Sequence, residues 1–214
     1  LPICEYDENL EINLSELKPL AACPHSPDNV KSVKELEGTK ITQVSIGSCT
    51  NSSYEDLMTA AKILKGKTIA DNVSLTIAPG SRQVLDMLSR DGGLSDLINA
   101  GARILECGCG PCIGMGQSPN SGGVSLRTFN RNFKGRSGTV DANVYLVSPE
   151  VAAYSAIKGE IADPYGKIDF VVEEPSEYII NDNMFIMPKP DKNKVSVKGP
   201  NIKPFPKASV IYND

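Results

Sequence analysis

The chain has 214 residues, of which 40% are hydrophobic, and its 22 basic and 26 acidic side chains leave a formal charge of −4. This length and composition predict a globular protein with a substantial buried core. The acidic balance disfavours nucleic acid or an anionic membrane as a partner and favours a small molecule.

Cysteine and histidine counts narrow the class of protein further. Six cysteines are too few for a fold built on disulfides, and their clustering favours metal or redox chemistry. The only histidine is His25, and the chain does not begin with Met, so we expect a piece of something larger. Because no apolar run approaches the roughly 20 residues that span a bilayer and no signal peptide is recognisable, we expect a soluble, cytoplasmic protein.

The order of elements predicts an α/β protein. Residues 1–38 predict an N-terminal segment and linker, because Pro24 and Pro27 interrupt regular structure. Short β-rich runs then alternate with helical patterns, at residues 41–46, 73–78, 102–105, 124–128 and 144–147. This alternation predicts a parallel sheet with crossover helices over residues 39–186. The polar, proline-rich residues 187–214 predict a linker leaving that domain.

Four helices follow from capping signals and apolar spacing. Ser52 or Ser53 caps the first, whose apolar stripe ends before Gly66. Two further helices are predicted near residues 82–89 and 94–100. The last begins at Ser148, followed by proline at the first helical position, and stops before Gly159.

The unusual segments of the chain each follow a predicted strand. Loops at the carboxyl ends of parallel strands converge on one crevice, which is where ligands bind in open α/β sheets. We therefore expect one site built from Cys49, residues 79–81, the loop 107–112, residues 130–136 and Ser148-Pro149.

Three cysteines indicate metal chemistry at that site. Cys49, Cys109 and Cys112 can hold a metal or iron–sulfur centre by three thiolates and leave one position open to substrate. Cys49 precedes a helix N-terminus, which favours the thiolate, although it could instead be a small buried hydrophobe. Cys109 and Cys112 alone also fit a zinc clip or a redox pair, and Cys107 as a fourth thiolate would close the site.

Polar residues on the neighbouring loops indicate anion binding. Arg131 and Arg136 place two permanent cations near the predicted metal site, and arginine matches a carboxylate in a bidentate fork. Ser81 lies at a helix N-terminus that can bind an anion, although it can equally serve only as a cap. We interpret His25 as a linker residue, and Cys4 and Cys23 as thiols that bind no metal.

At these residues the sequence resembles the aconitase family of iron–sulfur hydro-lyases, which includes the isopropylmalate and homoaconitate dehydratases. Five motifs carry the resemblance in order: Ile46-Gly47-Ser48-Cys49-Thr50-Asn51-Ser52, Pro79-Gly80-Ser81, Cys109-Gly110-Pro111-Cys112-Ile113-Gly114, Asn130-Arg131-Asn132-Phe133-Lys134-Gly135-Arg136 and Ser148-Pro149-Glu150. The resemblance implies the three-layer α/β/α fold of that family's third, cluster-bearing domain. It also implies that residues 187–214 lead toward a swivelling C-terminal domain.

The resemblance also implies roles for these residues. Cys49, Cys109 and Cys112 would ligate three irons of a [4Fe–4S] cluster, whose fourth iron binds substrate. Asn51 and Asn130 would neighbour the cluster. The carboxylates of a di- or tricarboxylic acid would be bound by Arg131, Arg136 and Ser81.

The activity implied by the resemblance is that of an aconitate hydratase, which interconverts citrate and isocitrate through cis-aconitate in the tricarboxylic acid cycle. Acid and base residues of the other domains are absent from this chain, so we expect no turnover without those domains. Isopropylmalate or homoaconitate dehydratase is the alternative within the same chemistry. A zinc-binding structural module and an RNA-binding iron sensor are alternatives of other classes, and the acidic chain gives the second little support.

Overall fold

The structure is a computed structural model that describes residues 6–188 and 199–203. The chain divides into two compact units, Leu1–Ile180 and Asn181–Asp214. All helices and strands of the described residues lie in the first unit. In the second unit the described residues form turns and irregular backbone, and much of the predicted linker lies outside the described residues. The domain boundaries at residues 38 and 187 stay a prediction.

Seven strands form one mostly parallel sheet. They are β1 (Leu20–Ala22), β2 (Val30–Ser32), β3 (Gln43–Gly47), β4 (Ser74–Ala78), β5 (Arg103–Ile104), β6 (Val124–Arg127) and β7 (Asn143–Leu146). Their order across the sheet is β2-β1-β7-β6-β3-β4-β5. Strands β3 to β7 pair in parallel, whereas β1 pairs antiparallel with β2 and β7. The five parallel strands confirm the predicted runs, with small differences at their ends.

Five α-helices accompany the sheet: α1 (Val33–Leu36), α2 (Tyr54–Leu64), α3 (Arg82–Arg90), α4 (Gly93–Asn99) and α5 (Pro149–Lys158). Helix α2 packs against α4 and α5, α3 packs against α4, and α5 packs on β3. Two short 3-10 helices cover Leu14–Glu16 and Gly110–Ile113. The arrangement confirms a three-layer α/β/α fold. Among the described helices, none has both the length and the apolar character needed to cross a bilayer.

The sequence analysis did not predict β1 and β2. Both strands have three residues, and Leu20, Val30 and Lys31 are exposed, so neither strand carries the alternating pattern that marks a half-buried strand. Their place in the sheet comes from pairing with each other and, through Ala22 and Leu146, with β7. The N-terminal segment is thus partly built into the sheet.

Local signals explain where the long helices begin and end. Ser53 caps α2 by accepting from the Asp56 backbone N–H at 3.1 Å, and the Asp56 carboxylate accepts from the Ser53 N–H at 3.0 Å. This reciprocal pair is the capping box that the sequence predicts. Ser148 caps α5, whose end is formed by Gly159 at φ 72°.

The core lies between β3 and the helices that cover it. All of β3 is buried, and large aliphatic side chains from three strands and three helices pack around it: Val44, Ile46, Leu75, Ile77, Leu126, Leu57, Leu64, Leu97 and Val151. Burial stabilises the fold by roughly 1.5–3 kcal/mol for each such side chain. The fully buried strand β3 therefore supports the loop that follows it.

We expect Gly47→Ala to destabilise the fold strongly. Gly47 ends β3 at φ 119°, and an added Cβ would overlap the carbonyl oxygen of Ala78 on β4. The combined strain and clash should lower the free energy of unfolding in urea by roughly 2–4 kcal/mol. Gly66→Ala is the matched control, because Gly66 has φ 67° but open space around its Cα. That control should cost only about 1 kcal/mol, and equal losses in both variants would contradict the role of the Ala78 contact.

Candidate metal and anion site

Five loops leave the sheet at the same edge. Because β7, β6, β3, β4 and β5 are neighbours and parallel, the segments after them all start at the carboxyl ends of the strands. After β3 the chain adds β4 and β5 on one side, and then β6 and β7 on the other side. The change of direction makes the gap beside β3 the topological switch point, where ligands bind in such sheets. Cys49 follows β3 directly.

A tight backbone turn presents Cys49 to solvent. Ser48 is buried in the left-handed region at φ 65°, and its N–H donates to the Ala78 carbonyl at 2.7 Å. The Ser48 hydroxyl accepts from the Cys49 N–H at 2.6 Å, and the Ser52 hydroxyl donates to the Ser48 carbonyl. These contacts hold an unusual conformation, of the kind that clusters at functional sites. The thiol of Cys49 is exposed, so the interpretation of this residue as a buried hydrophobe is wrong.

The second and third predicted cysteines differ in exposure. The Cys109 thiol is exposed, and its Sγ lies 3.9 Å from Cys49 Sγ. Cys112 is buried in the short 3-10 helix, with Arg136 Nη2 at 3.2 Å from its Sγ. Cys107 is half-buried. All five cysteines in the described residues are unpaired.

The predicted polar residues lie around these thiols in different settings. Asn51 Nδ2 donates to the Thr128 carbonyl at 2.6 Å, which ties the turn after β3 to the end of β6. Asn130 and Arg131 are exposed on the loop after β6. Ser81 caps α3, where its hydroxyl accepts from the Val84 N–H at 3.2 Å. The structure therefore shows the capping role of Ser81.

Arg136 has a donor that is not used within the described chain. Its guanidinium lies 5.7 Å from the Phe133 ring, and one of its nitrogens contacts Cys112. Its Nε is buried with no hydrogen-bond partner among the described residues. An unpaired buried donor on a cation is costly, and an oxyanion at this position would satisfy it.

Two buried polar residues behind the site have roles that the sequence does not predict. Asn132 is fully buried, and its Nδ2 donates to the carbonyls of Ala22, Cys23 and Val144 at 3.2, 2.8 and 3.1 Å. Asn132 thereby fixes the loop that carries Arg131. Arg127, in β6, is also fully buried, and its pKa is lowered to about 10 by burial. The only sequence signal for Arg127 is a charge at the end of a short β-rich run.

The two exposed cysteines differ in acidity. Hydrogen bonds from Thr50, Ser48 and Cys109 lower the pKa of Cys49 below its usual range. Burial and the neighbouring Cys49 raise the pKa of Cys109. The pair therefore loses its first proton mainly from Cys49. The position of Cys49 before a helix predicts an activated thiol, and the lowered pKa agrees, with side-chain hydrogen bonds as its largest cause.

Three thiols supply donors of the type that iron–sulfur clusters take. Within the described ranges, no three Cys, His, Asp or Glu side chains are arranged to hold one ion. Cys49 Sγ and Cys109 Sγ lie 3.9 Å apart, close to the spacing of two thiolates on one tetrahedral ion, so these exposed side chains must move apart to bind separate irons of a cluster. The four-thiolate zinc site stays an untested alternative.

A cavity adjoins Cys107 on the loop after β5. Its volume is about 500 Å³, and its lining includes Cys107, Gly110, Pro111, Met115 and Arg103. A second cavity of about 610 Å³ lies elsewhere, against Tyr54, Met87 and Val172. Neither of these two cavities is lined by Cys49, Cys109, Cys112 or Arg136, so we assign the site to the sheet edge where those residues lie.

We expect the alkylation rate of Cys49 in the metal-free chain to have a pH midpoint below that of an ordinary thiol. The rate falls as pH drops through this midpoint, because the thiolate becomes protonated. Thr50→Val removes the largest cause of the lowered pKa, so it should move the midpoint to higher pH. Thr50→Ser keeps the hydroxyl and is the matched control. Anaerobic labelling followed by peptide mapping measures the midpoints, and equal values in all three proteins would contradict this account.

Comparison with known proteins places this site in context. The profile of the Aconitase family (aconitate hydratase) matches residues 2–159. The chain is 48% identical over 165 residues to the 3-isopropylmalate dehydratase large subunit 1 of Methanopyrus kandleri, an alignment covering 76% of this chain and 39% of the relative. It is 44% identical over 159 residues to the methanogen homoaconitase large subunit of Methanocaldococcus jannaschii, covering 74% and 38% respectively. The chain thus spans about two fifths of the length of these curated relatives.

Proposed function

This chain belongs to the aconitase family, and from that premise we propose that it is the cluster-binding part of an iron–sulfur hydro-lyase. The observation that carries the proposal is the meeting of Cys49, Cys109 and Cys112 with Arg136 at one sheet edge. The location in the cytoplasm, expected from the sequence, is part of the same proposal.

Each residue has a chemical task in this proposal. Cys49, Cys109 and Cys112 would hold a [4Fe–4S] cluster, which supplies a Lewis-acid iron that polarises the leaving hydroxyl of the substrate. Asn51 and Asn130 lie on the loops that border these cysteines. The family's carboxylate-binding role falls here on Arg131, Arg136 and Ser81.

Exposure and hydrogen bonding support different contributions from the two arginines. Arg131 is exposed and can approach a carboxylate from solvent. Arg136 is half-buried, and its unpaired Nε offers a fixed donor beside Cys112. A carboxylate that bridges the loop after β6 and the cysteines would satisfy that donor. Ser81 caps α3 at the same edge, and its hydroxyl proton can still be donated to a carboxylate.

The relatives favour one substrate class over the citrate expected from the sequence. Similar proteins carry the names 3-isopropylmalate dehydratase and homoaconitase. We therefore propose a hydroxylated di- or tricarboxylic acid of the isopropylmalate or homoaconitate type as substrate, ahead of citrate. These relatives are named large subunits, so we propose that the remaining domains or a smaller subunit complete the enzyme. The chain alone should not turn over.

We expect the chain to take up about four iron atoms and to develop broad visible absorption after anaerobic reconstitution with iron and sulfide. Cys49→Ser, Cys109→Ser and Cys112→Ser should each lose most of this absorption, because each removes a thiolate ligand. Cys107→Ser is the matched control, since Cys107 lies on the same loop and is not proposed as a ligand. Colourless protein with stoichiometric zinc, or loss of absorption only in Cys107→Ser, would overturn the cluster assignment.

We expect the reconstituted chain to bind 3-isopropylmalate or homocitrate more tightly than citrate, as measured by changes in the visible spectrum. Arg131→Ala should weaken binding about tenfold or more, because it removes a charge-assisted contact to a carboxylate. Arg90→Ala controls for lost surface charge, since Arg90 pairs with Asp86 on α3. Tightest binding of citrate would return the assignment to aconitate hydratase, and equal effects of both substitutions would remove Arg131 from the site.

A further inference from the structure

A buried guanidinium lies beneath the cysteines. We call residues 107–118 the cysteine loop. Arg127 donates from Nη1 to the Pro111 carbonyl and from Nη2 to the Gln117 carbonyl, the second at 2.8 Å. Pro111 immediately precedes Cys112, so this single side chain fixes the loop on both sides of that cysteine.

Neighbouring side chains hold the guanidinium itself in place. Arg127 Nε donates to Ser125 Oγ at 3.1 Å, and Nη2 donates to Gln43 Oε1 at 2.8 Å. Gln43 also donates from Nε2 to the Ser118 carbonyl at 2.9 Å and accepts from the Ser125 hydroxyl at 2.7 Å. Three carbonyls of the cysteine loop are therefore bound to polar side chains of β3 and β6.

The charge of Arg127 has no carboxylate partner. None of the ion pairs among the described residues includes it, although its side chain is fully buried. Burial of a cation is costly unless it is extensively hydrogen-bonded. Two backbone carbonyls, one side-chain amide oxygen and one hydroxyl oxygen supply this solvation here, and the two carbonyls belong to the cysteine loop. The loop and the cation thus stabilise each other.

We propose that Arg127 is the positioning residue of the cysteine loop, holding Cys109 and Cys112 in their present arrangement before any metal binds. The role of these cysteines as cluster ligands rests on the proposed function, whereas the anchoring of the loop does not. Loss of the guanidinium would leave the buried Pro111 carbonyl and the partly buried Gln117 carbonyl without this donor. The loop would then open toward water and expose Cys112.

Anaerobic alkylation of the metal-free, full 214-residue chain by iodoacetamide tests this inference. Peptide mapping follows Cys112 against Cys23, which is also buried but lies at the far side of the sheet after β1. Arg127→Met should raise the labelling rate of Cys112 about tenfold or more through local opening and leave that of Cys23 unchanged. Arg103→Met is the matched control, because exposed Arg103 also donates to this loop, at the Gly116 carbonyl. It should change the Cys112 rate by less than about twofold.

A second variant covers the case in which Arg127→Met does not fold. Arg127→Lys keeps a positive charge, but one ammonium lacks the fork that reaches both carbonyls, so Cys112 labelling should still rise while Cys23 stays protected. Unchanged protection of Cys112 in a folded variant would overturn the inference. An equal rise for Cys112 and Cys23 would also overturn it, because that pattern means global unfolding. The labelling rates are measured on metal-free protein, so they test the role of Arg127 even if the cluster assignment fails.

Discussion

Parallel pairing of β3 with β4 on one side and β6 on the other is the constraint on which the rest of this structure depends. Parallel strands return through crossover connections, so every loop after a strand starts at the same edge. The pairing brings residues 49, 109 and 136 together although they are far apart in sequence. Five separate segments thereby become one surface at that edge.

The exposure and acidity of the cysteines at that edge depend on backbone conformations that are held by side-chain hydrogen bonds. Ser48 holds a left-handed turn between the buried β3 and the exposed Cys49, and hydrogen bonds from Thr50 and Ser48 then favour the thiolate. Cys112 is buried in a short helix, and its sulfur lies 3.2 Å from Arg136 Nη2. One thiol is therefore held accessible and acidic, whereas another is held buried beside a positive charge. The same residue type serves in two electrostatic settings.

Local patterns in the sequence were sufficient for much of the fold and for the exposed part of the site. The five parallel strands, the capping box at Ser53 and the proline start of α5 follow from nearest neighbours along the chain. Strands β1 and β2 do not, because each has only three residues without a clear alternating pattern and acquires strand geometry from pairing with a partner. Arg127 and Asn132 were missed for a related reason: a buried polar side chain is stable only when its acceptors arrive from distant segments. The substrate stays a proposal because the chain covers about two fifths of its relatives.

Asn132 links the loop after β6 to the N-terminal segment, residues 1–38. Its side-chain amide donates to the carbonyls of Ala22, at the end of β1, and of Cys23, the next residue. It also donates to the Val144 carbonyl on β7. A division of the chain at residue 38 would preserve the parallel sheet and all three site cysteines, yet it would remove two of the three acceptors of that amide. The loop bearing Arg131 would then keep only one of the three hydrogen bonds of the Asn132 amide. The two parts of this edge therefore depend on different segments. The cysteine loop is held by side chains of β3 and β6, whereas the loop with Arg131 also depends on the N-terminal segment.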